Sequence, residues 1–155
     1  MTRVVVGSDG SASALGAARA AASLLGAEHQ YVVVAVVRPV WADAVTPVSL
    51  GAAVPGYWPE PGGLLLDAEE LENEALGMAR SEAAAAARLL PGHVILRAEI
   101  GKPGEVLCAV ADEEHAGLVV VGSHGRGAAS GLLLGSVSRY LLRHCHRHVL
   151  IVPPG

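Results

Sequence analysis

The chain has 155 residues, 52% of them hydrophobic, which is enough for one domain with a proper core. Its formal net charge of −4 argues against non-specific nucleic-acid binding and against adhesion to an anionic membrane surface, since both need a basic face. Phe is absent, so the core is expected to be aliphatic.

Arg3 to Gly7 is a valine run too short for a helix and reads as a fully buried strand. It is too short for the apolar stretch of a signal peptide and has no cleavage site after it. Ser11 or Ser13 can cap the alanine-rich helix that follows, and Gly26 stops it. Tyr31 to Val37 is a second buried strand, broken by Arg38-Pro39. The segment from Val40 to Leu66 holds Pro47, Pro55, Pro59 and Pro61 with Gly51, Gly56, Gly62 and Gly63. It is expected to be a flexible loop, neither regular helix nor central strand, and Trp41, Tyr57 and Trp58 make it a candidate flap or partner contact.

Asp67 is expected to open a long helix, with acidic residues in its first turns where the dipole favours them, ending at Pro91-Gly92. His93 to Ile100 alternates as a third strand. Gly101-Lys102-Pro103-Gly104 turns into a helix from Glu105 to His115, and Leu118 to Val121 is a fourth strand. Gly135 to Cys145 reads as the last helix and His148 to Val152 as the fifth strand. Strands alternating with helices imply an α/β fold, a parallel sheet with helices on both faces, in a single domain over 1–155. No apolar run approaches about 18 residues, so no membrane-spanning helix is expected. Cys108 and Cys145 stand far apart and lack metal-ligand spacing, so the expected setting is the reducing cytoplasm.

The chemistry concentrates between Val119 and Val137, VVVGSHGRGAASGLLLGSV. A buried strand runs into Gly122-Ser123-His124-Gly125, nine residues follow, and Gly135-Ser136 stands at the mouth of a helix. Glycines let the main chain approach an anion and reach positive φ, and a helix N-terminus offers free N–H groups and a favourable dipole. The Ser136 hydroxyl can donate to a phosphate oxygen. The pattern is neither a Walker loop, which needs G-K-[ST], nor the G-x-G-x-x-G dinucleotide fingerprint. A phosphate cradle is the reading that fits it.

Other residues keep two readings at this stage. Asp9, after the first strand, either accepts from a ribose hydroxyl or holds a metal near phosphates, or it caps a helix or turn. Arg126 either reaches phosphates or is a solvated loop charge. His124 is more readily a loop-shaping residue than a general acid or base. The run His144-Cys145-His146-Arg147-His148 matches no zinc spacing, and its side chains diverge between a helix end and a strand start. No Ser-His-Asp arrangement or nucleophile elbow is legible.

Together these residues resemble the nucleotide-binding subgroup of the universal stress proteins. The resemblance covers nearly the whole chain: VVVGSDGS at Val4 to Ser11, Gly101-Lys102-Pro103, G-x2-G-x9-G-S, then VSRYLLRH and VLIVPP. It implies an open five-stranded sheet in the order 3-2-1-4-5 and a homodimer paired through the last strand. It also implies an ATP site built from Gly7, Ser8, Asp9, Val36, Val121, Gly122, Gly125, Arg126, Gly135, Ser136 and Val137, with Mg2+ as an accompanying ion near Asp9. Val36 would meet the adenine, Gly122 and Gly125 the ribose and phosphates, and Gly135 and Ser136 the phosphates. His148 stands where the family has Pro, which puts the local turn and the dimer contact in question. The implied function is an ATP-binding stress-response module acting through a protein partner. The alternatives are a slow ATPase or phosphotransferase, and an AMP- or cyclic-AMP-binding module or scaffold. The cradle without an evident base or Walker lysine favours binding over turnover.

Overall fold

The computed structural model describes residues 2–38, 63–126 and 134–154. The elements run β1 (Arg3–Gly7), α1 (Ala12–Leu25), a short 3-10 turn (Gly26–Glu28), β2 (Gln30–Val37), α2 (Gly63–Ala87), β3 (Val94–Ile100), α3 (Pro103–Glu113), β4 (Leu118–Gly122), α4 (Ser136–His144) and β5 (His148–Val152). The five strands form one sheet in the order β3-β2-β1-β4-β5, with every neighbouring pair parallel.

Alternate residues of the central strands point to opposite faces, and both faces are covered. Val4 and Val6 of β1 pack with Val33 of β2 against Ala17, Ala18 and Ala21 of α1 and Ala79, Ala83 and Ala86 of α2. Val5, Val32, Val34, Val119 and Val121 pack on the other face against Leu107, Val110 and Ala111 of α3 and Leu141 of α4. Small alanine faces let α1 and α2 sit close to a valine sheet, which is how a core without Phe closes. Each valine so buried contributes about 1.5–3 kcal/mol. Tyr31 is the large exception. Its hydroxyl donates to the Gly26 carbonyl at 2.6 Å, and burial raises its pKa.

Local signals place most helix ends. The Ser11 hydroxyl accepts from the Ala14 N–H, so Ser11 rather than Ser13 is the cap of α1. Gly26, at φ 65, ends it. Pro103 begins α3, two residues before the expected Glu105. The start of α2 differs more. It begins at Gly63 rather than Asp67, so residues 63–66 are helix and not loop, and the first turn carries no acidic residue. Leu64, Leu65 and Leu66 are good helix formers and extend the helix back past the point where charge suggested it began. The rest of the expected loop, with Trp41, Tyr57 and Trp58, lies outside the described residues.

Cys108 and Cys145 are distant in sequence but not in the fold. Helices α3 and α4 lie side by side on one face, where Gly104 approaches Tyr140 so closely that a Cβ would fall 2.5 Å from its ring. One turn further along α3, Cys108 meets Cys145 at the end of α4. Burial, with the neighbouring Cys145 thiol adding to it, pushes the Cys108 thiol up to about 12.

Candidate functional site

β1 lies at the centre of the sheet between β2 and β4, and the chain leaves these strands in different directions at their carboxyl ends. Such a switch point opens a crevice. Here it forms a cavity of about 550 Å³. Its apolar wall is made by Val34 and Val36 from β2, Leu107 from α3, and Val121 and Val137. Its polar side carries Ser8, Asp9, His124, Arg126, Ser136 and Arg139. Gly7, Gly122, Gly125 and Gly135 complete the rim, so all eleven residues expected at a nucleotide site line one cavity. Arg38, Pro103, Ser138 and Arg139 line it too and were not expected.

Asp9 ties the two loops together. Its Oδ1 accepts from the Ser11 N–H at 3.0 Å, which is the turn contact, and its Oδ2 accepts from the Arg126 N–H at 3.1 Å across the crevice. Each carboxylate oxygen keeps a lone pair for a further donor or cation. Among the described residues no group of three or more His, Cys, Asp or Glu side chains is placed to hold a metal. Asp9 by itself offers a divalent cation one carboxylate ligand.

The glycines serve contacts within the chain. Among the described glycines positive φ occurs at Gly10, Gly26, Gly92 and Gly101 and not at Gly122, Gly125 or Gly135, so of the two expected uses of the motif glycines, close approach and positive φ, these three do not show the second. What Gly122 needs is room. A Cβ there would lie 2.8 Å from the backbone C and O of Ser13 in α1. A Cβ at Gly125 would lie 2.9 Å from Asp9 Oδ2. The motif thus lets β4 and its loop press against the start of α1.

The N-terminus of α4 closes the crevice. The Gly135 N–H donates to the Ser123 carbonyl at 2.6 Å, and the first bond within the helix runs from Arg139 to Gly135. The N–H groups of Ser136, Val137 and Ser138 therefore have no partner inside the helix, and Gly135 gives no side-chain cap. Ser136 is exposed at the cavity. Ser138 is buried, and its hydroxyl reaches the carbonyls of Gly122 and Ser123 at 3.1 and 3.2 Å, fastening the helix to the β4 loop. Only its position on the inward side of the first turn could have marked it in the sequence.

His124 has its Nδ1 2.8 Å from the Ser123 hydroxyl, and its N–H reaches the Ser13 hydroxyl at 3.5 Å, a loop-shaping arrangement. Arg126 is not a bare loop charge: its guanidinium pairs with Glu82 of α2. His144 stacks on Tyr140, and its Nδ1 lies 3.0 Å from the Tyr140 carbonyl, so this histidine is engaged in contacts within α4.

Comparison with known proteins bears on this arrangement. The chain is 35% identical over 152 residues to universal stress protein Rv1636 of Mycobacterium tuberculosis, covering 96% of this chain and 94% of that one. It is 41% identical over 54 residues to universal stress protein Slr1101 of a Synechocystis strain, covering 35% of this chain and 50% of that one. The fold matches the structure of hypothetical protein MJ0577 with a TM-score of 0.71 at 19% identity, covering 99% and 96% of the two chains. It also matches a universal stress protein solved in complex with cAMP, with a TM-score of 0.58 at 28% identity and 99% and 98% coverage. No helix among the described residues is long and apolar enough to cross a membrane. The model of the universal stress protein family matches residues 1–153, and with the 3-2-1-4-5 sheet and the glycine-rimmed crevice this establishes that the chain belongs to the universal stress protein family.

Proposed function

We propose that this protein binds an adenine nucleotide in the crevice between β1 and β4, with ATP as the ligand, and acts by occupancy rather than turnover. One observation carries the reading: a single cavity has an apolar end of Val34, Val36 and Leu107 and a polar end with Asp9, Arg126 and the N-terminus of α4, whose first N–H groups have no partner inside the helix. A base suits the first end and phosphates suit the second. Ser136 donates to a phosphate, Asp9 meets the ribose or a Mg2+ ion carried with the phosphates, and Val36 packs on the adenine. The resemblance to a protein that holds cAMP supports an adenine ligand and makes cyclic AMP the second reading. The protein works as a homodimer joined through β5, and passes its state to a protein partner in the cytoplasm. Mass spectrometry of the nucleotide released from purified protein, with calorimetric titration of ATP, AMP, cyclic AMP and adenosine, tests this. Binding of ATP at least tenfold tighter than adenosine is expected. Equal affinities would remove the phosphate end of the site, and tighter cyclic AMP would establish the second reading.

A further inference from the structure

Arg126 presents a conflict. It lines the cavity, and its backbone N–H is bonded to Asp9. Its guanidinium, however, is held by Glu82 of α2. α2 packs with α1 on one face of the sheet, while the helices that wall the cavity, α3 and α4, belong to the other. The pair crosses above Gly10, where φ is +73 and a Cβ would lie 2.7 Å from Arg126 Nη2 and 3.0 Å from Glu82 Cγ. Gly10 thus leaves the passage by which Arg126 reaches α2. The Glu82 side chain is 20% exposed, whereas that of Arg126 is 58% exposed and open to solvent. The cation best shaped for a phosphate thus lines the cavity while it is engaged by a carboxylate of α2.

We infer that Glu82 is a specificity-determining positioning residue, which competes with the ligand's phosphates for the Arg126 guanidinium and so makes the cavity discriminate by phosphate charge. This rests on the adenine-nucleotide reading of the same cavity. A half-exposed ion pair is weak, so the clustered charge of a triphosphate outcompetes one carboxylate. A monophosphate does so poorly, and a nucleoside leaves the pair in place. Glu82 thereby raises the phosphate charge a ligand needs before Arg126 joins the site.

The test is a calorimetric titration of adenosine, AMP, ATP and inorganic triphosphate into wild type, E82Q, R126Q and the double variant at one low salt concentration. E82Q is isosteric and keeps the backbone carbonyl that accepts from the Ser8 hydroxyl. R126Q alters an exposed side chain and carries the test from the other partner. E82Q should tighten ATP and inorganic triphosphate by about threefold, AMP by less, and adenosine not at all. The gain should vanish in the R126Q background, and E82D should behave as wild type. An unchanged or weaker affinity for ATP in E82Q would overturn the inference. So would a gain shared by adenosine, which marks a packing effect, or a gain that survives R126Q, which marks simple repulsion by the carboxylate. If wild type binds none of the adenine ligands, the functional reading falls, and inorganic triphosphate alone decides: a gain in E82Q erased by R126Q upholds the role of Glu82, and no gain ends it.

Discussion

Replacing Gly122 by Ala should unfold the protein at lower temperature as well as damage the proposed nucleotide site. The added Cβ would stand 2.8 Å from the Ser13 backbone C and O, and 2.3 Å from the Ser13 hydroxyl. The hydroxyl can rotate, but the backbone cannot, so α1 must retreat by about 0.6 Å to restore ordinary contact at 3.4 Å. Overpacking of this kind costs about 1–3 kcal/mol. For a chain of this size each kcal/mol lowers the Tm by about 2–4 °C, so a fall of roughly 2–12 °C is expected. Gly125→Ala is the internal control. Its Cβ meets Asp9 Oδ2, the end of a side chain, at 2.9 Å. Asp9 can turn away and lose its bond to the Arg126 N–H, a loss of about 1 kcal/mol. Thermal unfolding of both variants, with ATP titration of each, separates the effects: Gly122→Ala loses stability and ligand, while Gly125→Ala loses mainly ligand. A Gly122→Ala protein that melts with wild type would refute the argument that this glycine exists for the approach of α1.

Ser136→Ala should weaken ATP by roughly 1.5–3 kcal/mol, one hydrogen bond to a charged phosphate, and spare adenosine; equal losses for both in calorimetry would make Ser136 structural. The raised Cys108 pKa favours the folded state fully below the unfolded thiol value of 9.0, and that contribution is lost as pH rises toward about 12. Urea midpoints at pH 8 and pH 10.5 should therefore diverge more in wild type than in Cys108→Ala, and identical divergence would remove the thiol as the cause. The edge strand β5 allows a test of the dimer: the Val152 carbonyl accepts from Ser123, so the backbone groups of His148, Leu150 and Val152 face β4 and those of Val149 and Ile151 face outward. Ile151→Pro should give a folded monomer in sedimentation where wild type is a dimer, and a wild-type monomer at micromolar concentration would end the β5 pairing.

What the sequence shows and what it hides follow from the range of the interactions. The strands were legible because a parallel sheet buried on both faces demands uninterrupted valines, and β1, β2 and β4 supply them within a residue or two of their observed ends. The crevice was legible because its rim is made of two short loops with characteristic glycine spacing. The reason for those glycines was not. Gly122 is matched to Ser13, more than a hundred positions away, and that pairing exists only once α1 has packed on the sheet. The same holds for the two cysteines, which meet because parallel helices share a face. Glu82 directly precedes the run Ala83 to Ala87, whose composition signals helix propensity and nothing else. Its carboxylate reaches Arg126 because the neighbouring alanines let α2 settle deep on the sheet, against Val33 and beside α1. An aliphatic core of small side chains therefore does more than close the fold without Phe. It brings a charged residue of α2 within reach of a loop that belongs to the site, and so makes the packing of that helix part of how the site is charged.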